Sequence, residues 1–342
     1  MAGGQERVLR RRIRTIEATK KITRSFELIA ASQISRAQGR IAGSRPYVRA
    51  ISQILLETAS ESSGATRLVG VPESPENALA LVVVADRGLA GAYSSSVLRA
   101  SERLMRAASG DARSYKVMAV GKKAQAYFRF RHQPVEQQFV GMSDRPSFED
   151  ARRVAAAVLP PFLRGEVDLV QIVSWRILSA SRQFVETRQL LPVIASKEGA
   201  GDGPGAAPTS PLGELASLTG ADPGVDELGT PEPGQRLGYF EFEPDAEQLL
   251  ARLIPQYVEA SIYAALLEAS ASEHASRQRA MSAATENAEE LLKTLRRVMN
   301  RARQDTITTE IMEIVGGSEA LRSAATGPHE LSHPQATEEQ TV

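Results

Sequence analysis

The stretch MSAATENAEELLKTLRRVMNRA, Met281–Ala302, decides the fold. Its apolar positions recur at alternating spacings of three and four residues, which is the pattern of a helix that packs along one seam against another helix. We predict a long C-terminal helix over residues 245–321, kinked near its start by Pro255 and stopped or loosened by Gly316-Gly317. The predicted seam positions are Met281, Ala284, Ala288, Leu291, Leu295, Val298 and Ala302.

A second long helix is predicted over residues 5–60, where Pro46 would kink or interrupt it. Neither helix can cover its own apolar stripe, so we expect the two to pair as an antiparallel coiled coil. The predicted N-terminal stripe consists of Leu9, Ile13, Ile16, Ile22, Phe26, Ile29, Ile34, Ala37 and Ile41.

Between the two helices, apolar strands alternate with helices, which is typical of an α/β layer with a largely parallel sheet. The first strand, Leu79–Ala85 (LALVVVA), is a continuous apolar run, as expected of a strand buried on both faces. Further strands are predicted at 116–120, 135–140, 167–175 and 184–191, and helices up to about 108, at 122–130 and at 148–163.

These patterns divide the chain into five predicted segments. They are an N-terminal coiled-coil helix (1–60), a Rossmann-like α/β domain (75–197), an acidic Gly/Pro-rich loop (198–236), a foot strand with the C-terminal coiled-coil helix (237–321) and a flexible tail (322–342). The loop has seven acidic and no basic residues over 198–235, and its composition is typical of a segment without fixed structure.

Composition argues against several classes of protein. The chain has no cysteine, which excludes disulfides and thiolate metal sites. Its four histidines form no HxxxH or HExxH pair, so we expect no metal. No run approaches the roughly 18–20 apolar residues that span a bilayer.

Three local patterns leave alternatives open. The turn ADRGLAGAYSSS, Ala85–Ser96, could cradle a phosphate, but it lacks GxGxxG and GxxxxGK[ST], which favours a structural turn and no cofactor. Residues 1–50 carry a net charge of +9, which fits either nucleic acid or a helix surface that faces acids. His274 beside Glu273 suggests acid–base chemistry, yet no nucleophile accompanies them in the sequence, so we expect no catalytic residues.

Four collinear segments together resemble the gamma subunits of F-type ATP synthases. They are ATKKITRSFELIAAS (18–32) with SRAQ (35–38), ADRGLAGAYSSS (85–96), SEHASRQRAMSAATENA (272–288) and NRARQDTITTEIMEIVGG (300–317). The resemblance implies a bacterial, non-catalytic rotor of the central stalk. Such a rotor turns with the c ring and drives conformational changes in catalytic beta subunits for ATP synthesis.

The resemblance also implies partners and contact residues. The expected partners are alpha and beta subunits, an epsilon subunit and the c-subunit ring, with no nucleic acid; the expected location is the cytoplasmic side of the cell membrane, as a peripheral protein. The residues matched to torque or coupling contacts with beta are Phe26, Arg277, Arg303, Gln304 and Thr308. Those matched to an apolar bearing are Ile307, Ile311, Ile314 and Val315. Those matched to foot contacts with epsilon and the c ring are Phe240, Phe242 and Glu243.

We predict that deletion of residues 200–234 leaves a complex that assembles, because this composition cannot offset the entropy lost on ordering. Copurification of the deleted chain with its partner subunits measures assembly. Failure to assemble would mean that the loop is structural, whereas altered ATP hydrolysis alone would indicate regulation.

Overall fold

The computed structural model describes residues 2–61, 75–110, 113–177, 182–193 and 246–325. Within them the chain forms the five helices and five strands α1 (Ala2–Glu61), β1 (Asn77–Val83), α2 (Tyr93–Gly110), β2 (Ser114–Val120), α3 (Lys122–Phe130), β3 (Gln137–Phe139), α4 (Phe148–Leu163), β4 (Leu169–Ile177), β5 (Gln183–Leu191) and α5 (Ala246–Ala325). They fall into two compact units: the sheet unit is Arg24–Ala283, and the helical unit comprises the described residues on either side of it.

In the helical unit, the first turns of α1 pack against the second half of α5. An apolar cluster joins Leu9, Ile13 and Ile16 to Leu292, Leu295 and Met299. Further along α1, Glu17 pairs with Arg296 and Lys20 pairs with Glu289, each at 2.6 Å. Partner numbers on α5 fall as those on α1 rise, so the helices run antiparallel, as predicted.

In the sheet unit, the strand order is β3-β2-β1-β4-β5, with β5 antiparallel to β4 and the other pairs parallel. Strand β1 is buried on both faces because its side chains alternate between two cores. Leu79, Leu81 and Val83 pack with residues of α1, α4 and α5. Ala80 and Val82 pack with residues of α2 and α3. The predicted fold class, α/β with long paired terminal helices, is confirmed.

Two local features bring loops together at the carboxyl edge of the sheet. Gly121 has a φ of 95°, and a Cβ at this position would lie 2.2 Å from the carbonyl oxygen of Val84, so only glycine lets the chain pass here. After β3, Ser147 begins α4 with a capping box: its hydroxyl accepts from the Asp150 amide, and the Asp150 carboxylate accepts from the Ser147 amide.

The register of the predicted seam is wrong in part. Leu291 and Val298 are 42% and 47% exposed, and Leu292 is buried at 5%. Between residues 285 and 302, the buried or half-buried positions of α5 are Thr285, Ala288, Leu292, Leu295, Met299 and Ala302, which keep the heptad spacing. The sequence pattern missed this register because it passed over polar Thr285, whose hydroxyl lies 2.8 Å from that of Thr23.

The N-terminal stripe is wrong in its middle for the same reason. Ile22 and Ile29 are 56% exposed, and Phe26 is 37% exposed. The less exposed positions there are Lys20, Thr23, Glu27 and Ala30, at spacings of three and four. A helix seam continues through polar residues when their polar atoms find partners, and an apolar pattern alone cannot detect this.

Neither helix is interrupted at the predicted positions, and the predicted kinks at Pro46 and Pro255 stay predictions. Helix α1 runs through Pro46, and α5 runs through Pro255 and through Gly316-Gly317 to Ala325. Ile41 and Val48, on either side of Pro46, are buried, so packing holds both flanks of the proline. Each glycine costs a helix only about 1 kcal/mol, which does not stop it. The predicted tail from 322 overlaps the end of α5 at Ala325, and its bounds stay a prediction. The predicted 198–236 loop lies outside the described residues. No described helix is long and apolar enough to cross a membrane.

The corrected register predicts unequal effects at two adjacent leucines. Leu292→Ala should lower the free energy of unfolding by roughly 2–4 kcal/mol, because it removes a buried side chain from the seam. Leu291→Ala is the matched control and should cost less than about 1 kcal/mol. Urea unfolding of both variants, followed by helical circular dichroism, measures this. Equal losses, or a larger loss at Leu291, would contradict the observed register.

Candidate functional site

The carboxyl edge of the sheet is organised by one carboxylate. Asp86 follows β1, and its Oδ1 accepts from the Lys122 amide at 3.1 Å. Its Oδ2 accepts from the amides of Gly141 at 2.9 Å and Ser143 at 3.2 Å. The Asp86 amide in turn donates to the Ser143 hydroxyl at 2.9 Å.

This arrangement bears on the alternative of a phosphate cradle. Backbone amides at the carboxyl edge of a parallel sheet are the groups that bind phosphate in α/β folds. Here Asp86 occupies the amide at the start of α3 and two amides after β3. Asp86 therefore has a structural role at this edge, and the structural role of the whole turn after β1 stays a prediction. Among the described residues, no group of three or more His, Asp or Glu could hold a metal ion.

The same edge is attached to helix α5. The carbonyl oxygen of Asp144 accepts from the Ser270 hydroxyl at 2.9 Å and lies 3.2 Å from His274 Nε2. The Tyr93 hydroxyl donates to the Ala269 carbonyl oxygen at 3.0 Å, and the Tyr93 ring stacks on Trp175. One short segment of α5, residues 269–277, thus receives contacts from the loops that follow β1 and β3; we call it the docked segment.

The docked segment carries a buried charged group. Arg277 donates to the Glu273 carboxylate and to His274 Nδ1, and it lies 3.5 Å from the Gly88 carbonyl oxygen. Burial raises the pKa of Glu273, against the opposing effect of Arg277. Burial lowers the pKa of His274. A carbonyl oxygen only accepts, so Nε2 of His274 carries the proton and Nδ1 accepts, as in a neutral imidazole.

These contacts explain the buried His274 and Glu273 without acid–base chemistry. Both side chains bond to groups of their own fold, and both are nearly inaccessible, at 2% and 1% exposed. Arg277, which the resemblance matched to a beta contact, is only 8% exposed and is directed at partners within the chain. Its contact with beta stays a prediction.

The second group of matched residues lies on α5 in the helical unit. From Ile307 to Arg322 every side chain of α5 is exposed. This tip segment carries an apolar row of Ile307, Ile311, Ile314 and Val315, which are 43%, 54%, 72% and 54% exposed. Thr308 lies within the tip segment, and Arg303 and Gln304, both exposed, lie just before it.

The remaining matched residues are separate from these groups. Phe26 is a partly exposed aromatic side chain on α1. Phe240, Phe242 and Glu243 lie outside the described residues. The basic charge of α1 is partly matched within the chain, since Arg10 pairs with Glu6, Lys20 with Glu289 and Arg24 with Glu27.

Sequence reasoning missed the residues that attach the sheet to α5. These are Asp86, Tyr93, Ser143, Asp144 and Ser270. A signal existed for Asp86, because it is an acidic residue placed directly after a buried strand at the carboxyl edge of a predicted parallel sheet. The partners on α5 are distant in sequence, and no local pattern identifies them.

Comparisons with known proteins agree on one family. The family described as ATP synthase matches residues 5–321. An ATP synthase gamma chain of a Parafrankia species is 42% identical over 94% of this chain and 99% of its own length. That of Streptomyces coelicolor is 38% identical over 95% and 99% of the two chains.

Solved structures share the fold at lower identity. A chain of the Euglena gracilis mitochondrial ATP synthase matches with a TM-score of 0.60 at 17% identity and covers 97% of this chain and 100% of its own. A chain of the Tetrahymena thermophila mitochondrial ATP synthase, in a structure of its central stalk and c ring, matches with a TM-score of 0.52 at 22% identity. It covers 77% of this chain and 99% of its own.

The neutral state of His274 predicts a pH effect on stability. Because the folded state holds the pKa of His274 below its ordinary value of 6.5, this residue's contribution is complete above that pH and is lost as the pH falls through the lower, folded pKa. The raised pKa values of Glu268 and Glu273 act in the opposite direction, favouring the fold as the pH falls. The contribution of His274 is therefore measured by comparing the stability of wild type with that of a variant at His274.

We expect wild type to lose stability relative to His274→Gln between about pH 8 and about pH 5.5, because glutamine can still donate to Asp144 but does not titrate. Urea unfolding at both pH values gives the difference. A constant difference would show that His274 does not titrate on unfolding.

Proposed function

The chain belongs to the family of ATP synthase gamma chains, and from this premise we propose that its tip segment turns within a ring of alpha and beta subunits. It is a non-catalytic rotor subunit of the central stalk. In the proposed complex it rotates with the c ring, and its rotation changes the conformation of each catalytic beta subunit in turn.

The exposed apolar row of the tip segment carries this proposal. Four large aliphatic side chains at helical spacing, Ile307, Ile311, Ile314 and Val315, are each more than two-fifths exposed. A contiguous apolar surface of this kind is typical of a site that another protein covers. A covering socket for a rotor must be apolar, because fixed polar contacts would have to break at every step.

A rotor also needs some polar contacts that distinguish one beta conformation from another. A subunit shifts its neighbour between states only if it contacts those states differently. Arg303, Gln304 and Thr308 are exposed beside the apolar row and match family positions that contact beta. Phe26, on α1, is matched to the same role, and its 37% exposure leaves the ring available to a partner.

The membrane end of the proposed stalk rests on the resemblance. Phe240, Phe242 and Glu243 would contact the epsilon subunit and the c ring, and the chain would lie at the cytoplasmic side of the cell membrane as a peripheral protein. Through these contacts it would also regulate ATP hydrolysis and proton flow. The support for these partners is the family membership together with the foot motif FEFEPD at 240–245.

Replacement of Arg303 and Gln304 by alanine tests the proposed coupling. Each charge-assisted hydrogen bond contributes roughly 1.5–3 kcal/mol, so loss of one bond in the rate-limiting step slows it about tenfold or more. We expect ATP-driven proton pumping per assembled complex to fall by that order, with assembly largely intact. Membrane vesicles that contain the double variant give this value.

The matched control is Thr294→Ala with Arg297→Ala, which removes one exposed charge and one exposed polar group of α5 outside the matched motif. Pumping should stay near wild type in the control. Wild-type pumping in the Arg303/Gln304 variant would contradict the coupling role, and equal losses in both double variants would reduce it to an effect of net charge.

A further inference from the structure

We propose that Asp86 is a positioning residue that fixes the docked segment of α5 to the carboxyl edge of the sheet and so stiffens the rotor at that point. This inference rests on the rotor function. It gives a mechanical role to Asp86, which is not among the residues matched to coupling or bearing contacts. Three successive contacts within the sheet unit link Asp86 to the docked segment.

The first contact gathers the loops. A single carboxylate accepts three backbone amides, from Lys122, Gly141 and Ser143, at 2.9–3.2 Å. Hydrogen bonds to an ionised acceptor are roughly twice as strong as neutral ones. The loops after β2 and β3 are thereby held to the end of β1, in the centre of the sheet.

The second contact is made by Ser143, the residue before Asp144 in the chain. Ser143 is bonded to Asp86 through both its amide and its hydroxyl. These two bonds hold Ser143, the residue before Asp144, and so restrict where the carbonyl group of Asp144 can lie. This is the group that meets α5.

The third contact is the docking itself. The Asp144 carbonyl oxygen is bonded to Ser270 and His274, which are 1% and 2% exposed. The other attachments of the docked segment involve Gly88, in the loop after β1, which lies 3.5 Å from Arg277, and Tyr93, the first residue of α2, which donates to Ala269. Two of these docking groups lie within two residues of Asp86 or of its partner Ser143: the carbonyl groups of Gly88 and Asp144.

A matched control lies at the opposite edge of the same sheet. Asp168 is also partly buried, and its Oδ2 accepts from the amides of Glu76 and Asn77 at 3.3 and 3.1 Å. It performs the same kind of clamping at the start of β1, at the end of the sheet away from the docked segment. Asp86→Asn and Asp168→Asn thus remove the same charge from the same sheet.

The test is hydrogen exchange of the assembled complex, read by mass spectrometry in peptides that cover residues 269–277. Asp86→Asn should speed exchange there by about tenfold, which corresponds to about 1.4 kcal/mol, and Asp168→Asn should leave it at the wild-type rate. Faster exchange confined to residues 120–124 and 139–144 would overturn the proposal, as would equal acceleration by both variants.

A second pair of variants covers the case in which Asp86→Asn does not assemble. Ser270→Ala removes the hydroxyl that donates to Asp144, and Ser101→Ala removes an equally buried hydroxyl that bonds only to Leu98 within α2. Only Ser270→Ala should speed exchange in the docked segment. Equal rates in the two serine variants would overturn the proposal.

The mechanical consequence is measured by rotation of single complexes. The chain has no cysteine, so Ala126→Cys on the exposed side of α3 gives a single attachment point for a rotating probe. During a pause, the distribution of probe angles should be wider for Asp86→Asn than for Asp168→Asn, and equal widths would refute the stiffening role. Absence of any rotation in the wild type would instead refute the rotor function.

Discussion

The structure depends on the packing of α1 against α5, through which each helix covers the apolar stripe of the other. Helices of 60 and 80 residues cannot bury such stripes alone, and most helical stability in proteins comes from packing of that face. Their antiparallel pairing in the helical unit satisfies this need up to about Thr306 of α5. The same two helices also supply one face of the sheet unit's core, through residues such as Val48, Ile51 and Tyr257.

Polar groups set the positions that the apolar seam leaves undetermined. In the helical unit, the contact between Thr23 and Thr285 and the pairs at Glu17 and Lys20 fix one register among the heptad alternatives. In the sheet unit, Asp86 and the buried side chains of the docked segment fix where the sheet edge meets α5. Exposed ion pairs contribute little stability, so their value lies in specificity of alignment.

Most of the fold could be predicted from the sequence because most helices and strands have a recognisable local pattern of apolar residues. The continuous apolar β1 and the heptads of α5 needed no long-range information, and the predicted α3 and α4 match the observed bounds. It failed at Leu291, Ile22 and Ile29, which are exposed because the seam passes through a neighbouring position in each case. The tip residues could be identified from motif resemblance, but the attachment of the sheet edge to α5 could not, since Asp144 lies more than a hundred residues from Ser270 and His274.

We propose that a ring of partner subunits encloses the exposed apolar row of the tip segment. Ile311→Cys places a single thiol in that row, because the chain has no other cysteine. A maleimide reagent should label this thiol rapidly in the isolated chain and far more slowly in the assembled complex, with labelling restored when the complex is denatured. Equally rapid labelling in the isolated chain and in the intact complex would contradict the account.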